Sequence, residues 1–158
     1  MLLHLLRHAD AGDPLAWDGP DARRPLSDKG RGQAERLGAH LAAIGADLGP
    51  FLTSPKVRAF ETAEIVARTL GAELTVEHRL GGAFDRTSLE AILAERGDPE
   101  RVCLVGHDPD FSEILADLLG VRELPMRKGA VVRLDIDRPL ESGAGTLRWL
   151  LPPNLIKS

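Results

Sequence analysis

With 158 residues, 43% of them hydrophobic and 28% charged, the chain has the length and composition of a single folded domain over residues 1–158, and neither percentage is that of a disordered chain. Its 20 Lys and Arg against 24 Asp and Glu leave a net charge of −4, which excludes a global cationic field for nucleic acid or anionic lipid, so any anion site must be local. One cysteine, Cys103, excludes an internal disulfide; the N-terminal apolar run is cut by His4 and Arg7 too early for a secretory leader, and no run reaches membrane-spanning length, so the expectation is a cytoplasmic monomer without a nucleic-acid or membrane partner.

Residues 1–6 read as a buried strand that runs directly into Arg7-His8. The stretch 9–25, with Gly12, Pro14, Gly19, Pro20 and Pro25, reads as a loop, and a loop of that length inside a compact domain is more often functional than idle. Ser27 is the expected cap of a helix to about Ile44, with Ala34, Leu37, Leu41 and Ile44 on one face and Gly45 as its stop. A second strand is expected over 48–53, weakened at its start by Gly49 and Pro50. Ser54-Pro55 then reads as N-cap and first residue of a helix that carries Val57, Phe60, Ile65, Val66 and Leu70 and stops at Gly71, with Arg58 in its first turn.

A short strand over 74–76 follows, and Thr87 with Glu90 forms a capping-box pattern ahead of a helix to Gly97. Residues 101–106 are the clearest buried strand and lead into His107; Asp108-Pro109-Asp110 opens a helix with Phe111, Ile114, Leu115, Leu118 and Leu119 on its apolar side. The tail alternates over 130–136, turns at 143–145 and returns over 146–151 as a terminal antiparallel hairpin. Strands alternating with helices predict an α/β fold, a three-layer α/β/α sandwich with a mostly parallel central sheet and an antiparallel C-terminal edge, whose ligand site lies beyond the carboxyl ends of the strands.

His8, Arg58 and His107 all fall at that edge. Phosphoryl transfer has a loose transition state with negative charge on its equatorial oxygens, so catalysis rests on positioning and electrostatics. Guanidinium forks from Arg7 and Arg58 and a protonated His107 suit the phosphate oxygens, and a neutral His8 among them suits a nucleophile that forms a covalent phosphohistidine, later attacked by water. The five histidines show no ligand-spaced pair and the carboxylates no metal cluster, so no metal and no cofactor is expected. Taken singly, each residue has an ordinary account: His8 and His107 as hydrogen-bonded residues at strand ends, Arg58 as a solvated helix residue paired with Glu61 or Glu64, Cys103 as core, Trp17 and Trp149 as packing, with Trp17 beside the pocket mouth.

Together the segments Leu6-Arg7-His8-Ala9, Arg24-Pro25-Leu26-Ser27-Asp28-Lys29-Gly30, Thr53-Ser54-Pro55 with Arg58-Ala59 and Glu61-Thr62-Ala63, and Val105-Gly106-His107-Asp108-Pro109 resemble the histidine phosphatase superfamily, and within it the small SixA-type phosphohistidine phosphatases, over nearly the whole chain. Lys128-Gly129-Ala130 and the Trp149 hairpin look like that group too. The resemblance implies His8 as the phosphorylated residue, Arg7, Arg58 and His107 as the phosphate pocket, and Arg24 as a fourth cation bordering it. Ala9 stands where the superfamily has glycine, at a position whose backbone would serve the substrate. Larger members supply a carboxylate general acid from an inserted segment; Asp85, in the loop 81–86, is the substitute candidate here.

The implied activity is a metal-independent phosphatase acting on phosphohistidine, with a phosphohistidine-bearing protein as partner, because a phosphoramidate leaves without a strong acid. A hydrolase of small phosphate esters, sugar phosphates or nucleotides is the alternative, and a non-catalytic phosphate-binding module the alternative from another class.

Overall fold

The computed structural model describes residues 1–157. Its strands are β1 (Leu2–Arg7), β2 (Phe51–Thr53), β3 (Leu74–Val76), β4 (Arg101–Gly106), β5 (Val131–Asp135) and β6 (Thr146–Leu151); its longer helices are α1 (Asp28–Ala43), α2 (Val57–Leu70), α3 (Arg86–Glu95) and α4 (Asp110–Leu119). The sheet order is β3-β2-β4-β1-β5-β6. The first four strands are parallel, and β5 pairs antiparallel with both β1 and β6, so the sheet is mostly parallel with an antiparallel C-terminal edge as expected.

Because successive side chains of a strand point to opposite faces, an unbroken apolar strand must be covered twice. Leu3 and Leu5 of β1 and Val102 and Leu104 of β4 face a core completed by Leu89, Ile92 and Leu93 of α3 and Phe111, Ile114, Leu115 and Leu118 of α4. Leu6, Cys103 and Val105 face the other core, with Ala34, Leu37 and Leu41 of α1 and Ala59, Ala63, Val66 and Ala67 of α2. Each fully buried leucine here contributes ~1.5–3 kcal/mol from apolar surface removed from water.

The element ends explain where the sequence expectations shift. The strand expected from residue 48 starts at Phe51, because Gly49 takes a left-handed φ of 73° and a Cβ there would lie 2.5 Å from the Arg101 carbonyl. Ser54 does not cap α2, which begins two residues later behind Lys56; the Ser54 hydroxyl is turned to His107 instead. The cap of α3 is Asp85, which accepts from the Ser88 amide, rather than Thr87. Ser27 does cap α1, accepting from Gly30, and Gly71 and Gly120 close α2 and α4 in the left-handed conformation. The loop 9–25 carries two single 3-10 turns, Pro14–Ala16 and Asp21–Arg23. No helix of the described residues is long and apolar enough to cross a membrane.

Candidate active site

The parallel register of β1 and β4 sets the site. Arg7 is paired with Gly106, so His8 and His107 are the residues just past the matched ends of neighbouring strands, and the His8 amide donates to the Gly106 carbonyl at 3.0 Å. Adjacent strands run about 4.8 Å apart, which brings the two imidazoles together; their ring centroids are 5.2 Å apart at an interplanar angle of 53°. β2 ends alongside, the Ser54 amide donating to the Val105 carbonyl at 3.0 Å, and delivers α2 with Arg58 in its first turn. Gly106 must be glycine for this arrangement, since a Cβ would meet the Phe111 ring at 2.7 Å.

Hydrogen bonds assign the tautomers of both rings. His8 Nδ1 lies 2.7 Å from its neighbour's carbonyl, Ala9 O, and so carries the proton it donates there, which leaves Nε2 with a free lone pair. The Ser54 oxygen accepts from the Lys56 amide at 3.2 Å; the one acceptor within reach of its own buried hydroxyl hydrogen among the described residues is His107 Nε2, 2.7 Å away, so the hydroxyl donates there. His107 then carries its proton on Nδ1, a buried atom with no protein partner.

The two arginines are held by their outer nitrogens. Arg7 Nη1 donates to the Met126 carbonyl at 2.7 Å and lies 3.4 Å from Asp108 Oδ2. Arg58 Nη1 and Nη2 donate to the carbonyl and carboxylate of Asp21 at 2.9 and 3.0 Å. In both, Nε is buried and unpartnered. Among the described residues six buried side-chain polar atoms lack a partner, and Arg7 Nε, Arg58 Nε and His107 Nδ1 are three of them. Buried donors are ordinarily satisfied, so three orphans beside His8 call for an acceptor that the protein itself does not supply.

The electrostatics fit a nucleophilic imidazole. Burial above all, then the charges of Arg58, Arg7 and Lys128, lower the His8 pKa to about 4, although the bond to Ala9 opposes them. His107 is pushed down to about 3, by burial first and then by His8, Arg58 and Lys56. His107 is therefore neutral near pH 7 in the free protein, contrary to the protonated donor expected from sequence; it donates through Nδ1–H as a neutral ring.

The remaining expectations divide. The ordinary account of Arg58, a solvated residue paired with Glu61 or Glu64, is overturned: the residue is 6% exposed and its carboxylate partner is Asp21. Arg24 is buried and reaches the cluster only through Asp21, 3.2 Å from its Nε, while its Nη1 donates to the Ala11 and Gly12 carbonyls at 2.8 and 3.3 Å; it braces the loop. Ala9 does not offer its backbone to a substrate, because its amide donates to Thr62 Oγ1 at 3.1 Å and its carbonyl serves His8. Asp85 does not sit as a proton donor: it caps α3, and the Ser88 amide and hydroxyl hold its carboxyl below the ordinary carboxylate range. Cys103 is buried core as read, and burial pushes its thiol up. Among the described residues no group of three or more His, Cys, Asp or Glu is gathered for a metal.

A model of the histidine phosphatase superfamily (branch 1) matches residues 3–83, which include His8, Arg24 and Arg58. The chain belongs to that superfamily. The family and its SixA-like members support phosphatase activity. Phosphohistidine phosphatase SixA of Escherichia coli K12 is 28% identical over 164 residues, covering 99% of this chain and 97% of that protein. An uncharacterized protein of Picosynechococcus is 36% identical over 119 residues, 72% of this chain and 70% of the relative. Among solved structures, the protein histidine phosphatase SixA complexed with tungstate superposes with a TM-score of 0.83 at 25% identity, over 99% of this chain and 100% of that one. The alpha-ribazole phosphatase of Shigella flexneri shares the fold, with a TM-score of 0.74 at 19% identity over 97% of each chain.

Three residues have contacts at the site that the sequence reading did not assign: Ser54, Thr62 and Asp21. Thr62 Oγ1 accepts from Ala9 and donates to the Arg58 carbonyl at 2.7 Å, tying the end of β1 to α2. The available signal was their place in the Thr53-Ser54-Pro55 and Glu61-Thr62-Ala63 segments; that both hydroxyls are fully buried is visible only in the fold.

Proposed function

We propose that the chain is a phosphatase that uses His8 as a covalent nucleophile and that its substrate is phosphohistidine in a protein. The observation that carries the reading is the unprotonated Nε2 of His8 beside three buried donors without partners, Arg7 Nε, Arg58 Nε and His107 Nδ1. In the first step the Nε2 lone pair attacks phosphorus, a P–Nε2 bond forms, and the bond to the leaving group breaks with its electron pair going to that group. In the second, water attacks the same phosphorus, the P–Nε2 bond breaks, and inorganic phosphate leaves with His8 neutral again. Arg7 and Arg58, anchored by their outer nitrogens, present Nε–H to the equatorial oxygens without reorganising, and His107 adds Nδ1–H. Arg24 acts behind them, through Asp21.

Phosphohistidine is favoured over an alkyl ester by the leaving group. No carboxylate of the described residues hydrogen-bonds to either imidazole, Asp85 is a helix cap, and Asp21 is ionised between Arg24 and Arg58, its carboxyl lowered although burial opposes the two charges. A phosphorylated imidazole takes its proton from solvent and leaves neutral, whereas an alkoxide needs a positioned acid. The SixA of similar fold was solved with tungstate, an oxyanion of phosphate's shape. Steady-state kcat/KM for a phosphohistidine-bearing protein against sugar phosphates and nucleotides tests the reading: the phosphohistidine substrate is expected to lead by at least about 100-fold, and a lead for the esters would contradict it.

A further inference from the structure

A cleft of about 520 Å³ opens from the outer side of Arg7 and is lined by Lys29, Arg36, Arg127 and Lys128 as well, with Asp10 as its one carboxylate. Five cations against one acid is a local reversal of sign in a chain of net charge −4. Asp10 is already engaged, accepting from the Ser27 hydroxyl at 2.6 Å, and is only loosely paired with Lys128 at 3.8 Å. Among the described residues Lys29, Arg36 and Arg127 have no carboxylate within ion-pairing distance. Lys29 and Arg127 are exposed, so holding this charge unpaired costs little in water and leaves it available to a visitor.

The spread of the charges selects the occupant. Lys29 and Arg36 stand seven residues apart on α1, about 10 Å along the axis, and Arg127 and Lys128 approach from the segment before β5. One additional phosphate has room for two or three of these side chains and would leave the others unpaired; a row of carboxylates on a protein surface can pair with them along the groove. Arg7 belongs to both regions, since it directly precedes His8 and also lines the cleft, and the charge of Lys128 in the cleft is felt at His8, so a partner whose phosphohistidine meets His8 lays its flank along this groove.

We infer that this cleft docks an acidic flank of the phosphohistidine-bearing protein and so sets substrate preference, an inference that rests on the function proposed above. The interaction is long-range and exposed, so it raises the encounter rate and is screened by salt. The test uses two synthetic phosphohistidine peptides, identical except for a run of Glu or of Ser beside the phosphorylated residue. At low ionic strength the acidic peptide is expected to show about tenfold higher kcat/KM. That advantage should vanish in about 0.5 M salt and in Lys29→Glu/Arg127→Glu, whose turnover of the neutral peptide stays unchanged.

Equal turnover of the two peptides by the wild-type protein, or a preference that survives the charge reversal, overturns the docking role. So does strong competition by tripolyphosphate without any peptide preference, which would assign the cleft to a small polyanion. Failure to hydrolyse either peptide while small esters are turned over is a distinct result, because it overturns the phosphohistidine reading and the docking role with it.

Discussion

An imidazole that accepts a phosphoryl group must keep a lone pair on the attacking nitrogen, and at His8 both the backbone and the neighbouring charges work to that end. The Ala9 carbonyl accepts a hydrogen bond from Nδ1–H and so holds the proton on that nitrogen, while burial and Arg58 oppose a second proton on the ring. Arg58→Gln should therefore do two separable things. The plateau rate should fall about 100-fold or more through loss of a preorganised donor. The acid limb of kcat/KM should also move to higher pH, because removing a positive charge makes protonation of His8 easier and its pKa climbs from about 4 toward 6.5. A plateau loss with an unmoved acid limb would mean that Arg58 does not face His8. Ser54 acts on the second ring as a positioning residue. Without its hydroxyl, His107 Nε2 loses the donor that keeps the proton on Nδ1, so Ser54→Ala should lower kcat by about 10- to 100-fold with little change in KM; a loss confined to thermal stability would reduce Ser54 to packing.

At the scale of elements, the join between the loop 9–27 and α1 is the most demanding piece of the structure. Ser27 both caps α1 and donates to Asp10, Asp10 accepts from Gly12, and a Cβ on Gly30 would lie 1.9 Å from the Asp10 carbonyl. Gly30→Ala should destabilise the protein by at least about 2 kcal/mol in denaturant unfolding. Gly32→Ala, on the same helix, meets only the mobile end of Arg36 and should be neutral or stabilise by up to about 1 kcal/mol; equal effects of the two would show that the loop is not seated there. The helices and strands themselves were readable because apolar period and glycine stops agree, as at Gly71 and Gly120. What stayed hidden was side-chain exchange between elements. Ser54 has the look of a cap but bonds a histidine 53 residues away, and Asp21 joins Arg58 across 37 residues. Local propensity carries no information on those partners. That Arg7, His8 and His107 share one rim was legible because strand ends fix them, and Arg58 because it opens the helix after β2; the neutrality of His107 and the bracing contacts of Arg24 depend on burial that only the packed chain creates.

At the scale of the molecule, a parallel sheet with both faces covered places chemistry at one rim and buries what it places there. His4, His8 and His107 are each buried, with pKa values near 4, 4 and 3 against an ordinary 6.5. The unfolded chain therefore binds more protons than the folded one between 6.5 and about 4. Stability is full above pH 6.5 and falls through that window by about 1.4 kcal/mol per pH unit for each histidine. His4→Leu, far from the site, should reduce that slope by about a third with activity intact; an unchanged slope would remove His4 from the linkage. The claim on which the whole account turns is that the phosphoryl group passes through His8. The direct measurement is a rapid quench after mixing with a labelled phosphoryl donor. An acid-labile, base-stable adduct is expected on His8 and is expected to be absent from His8→Ala, which should also be inactive. Turnover without any adduct on His8, or turnover that survives His8→Ala, would contradict that claim.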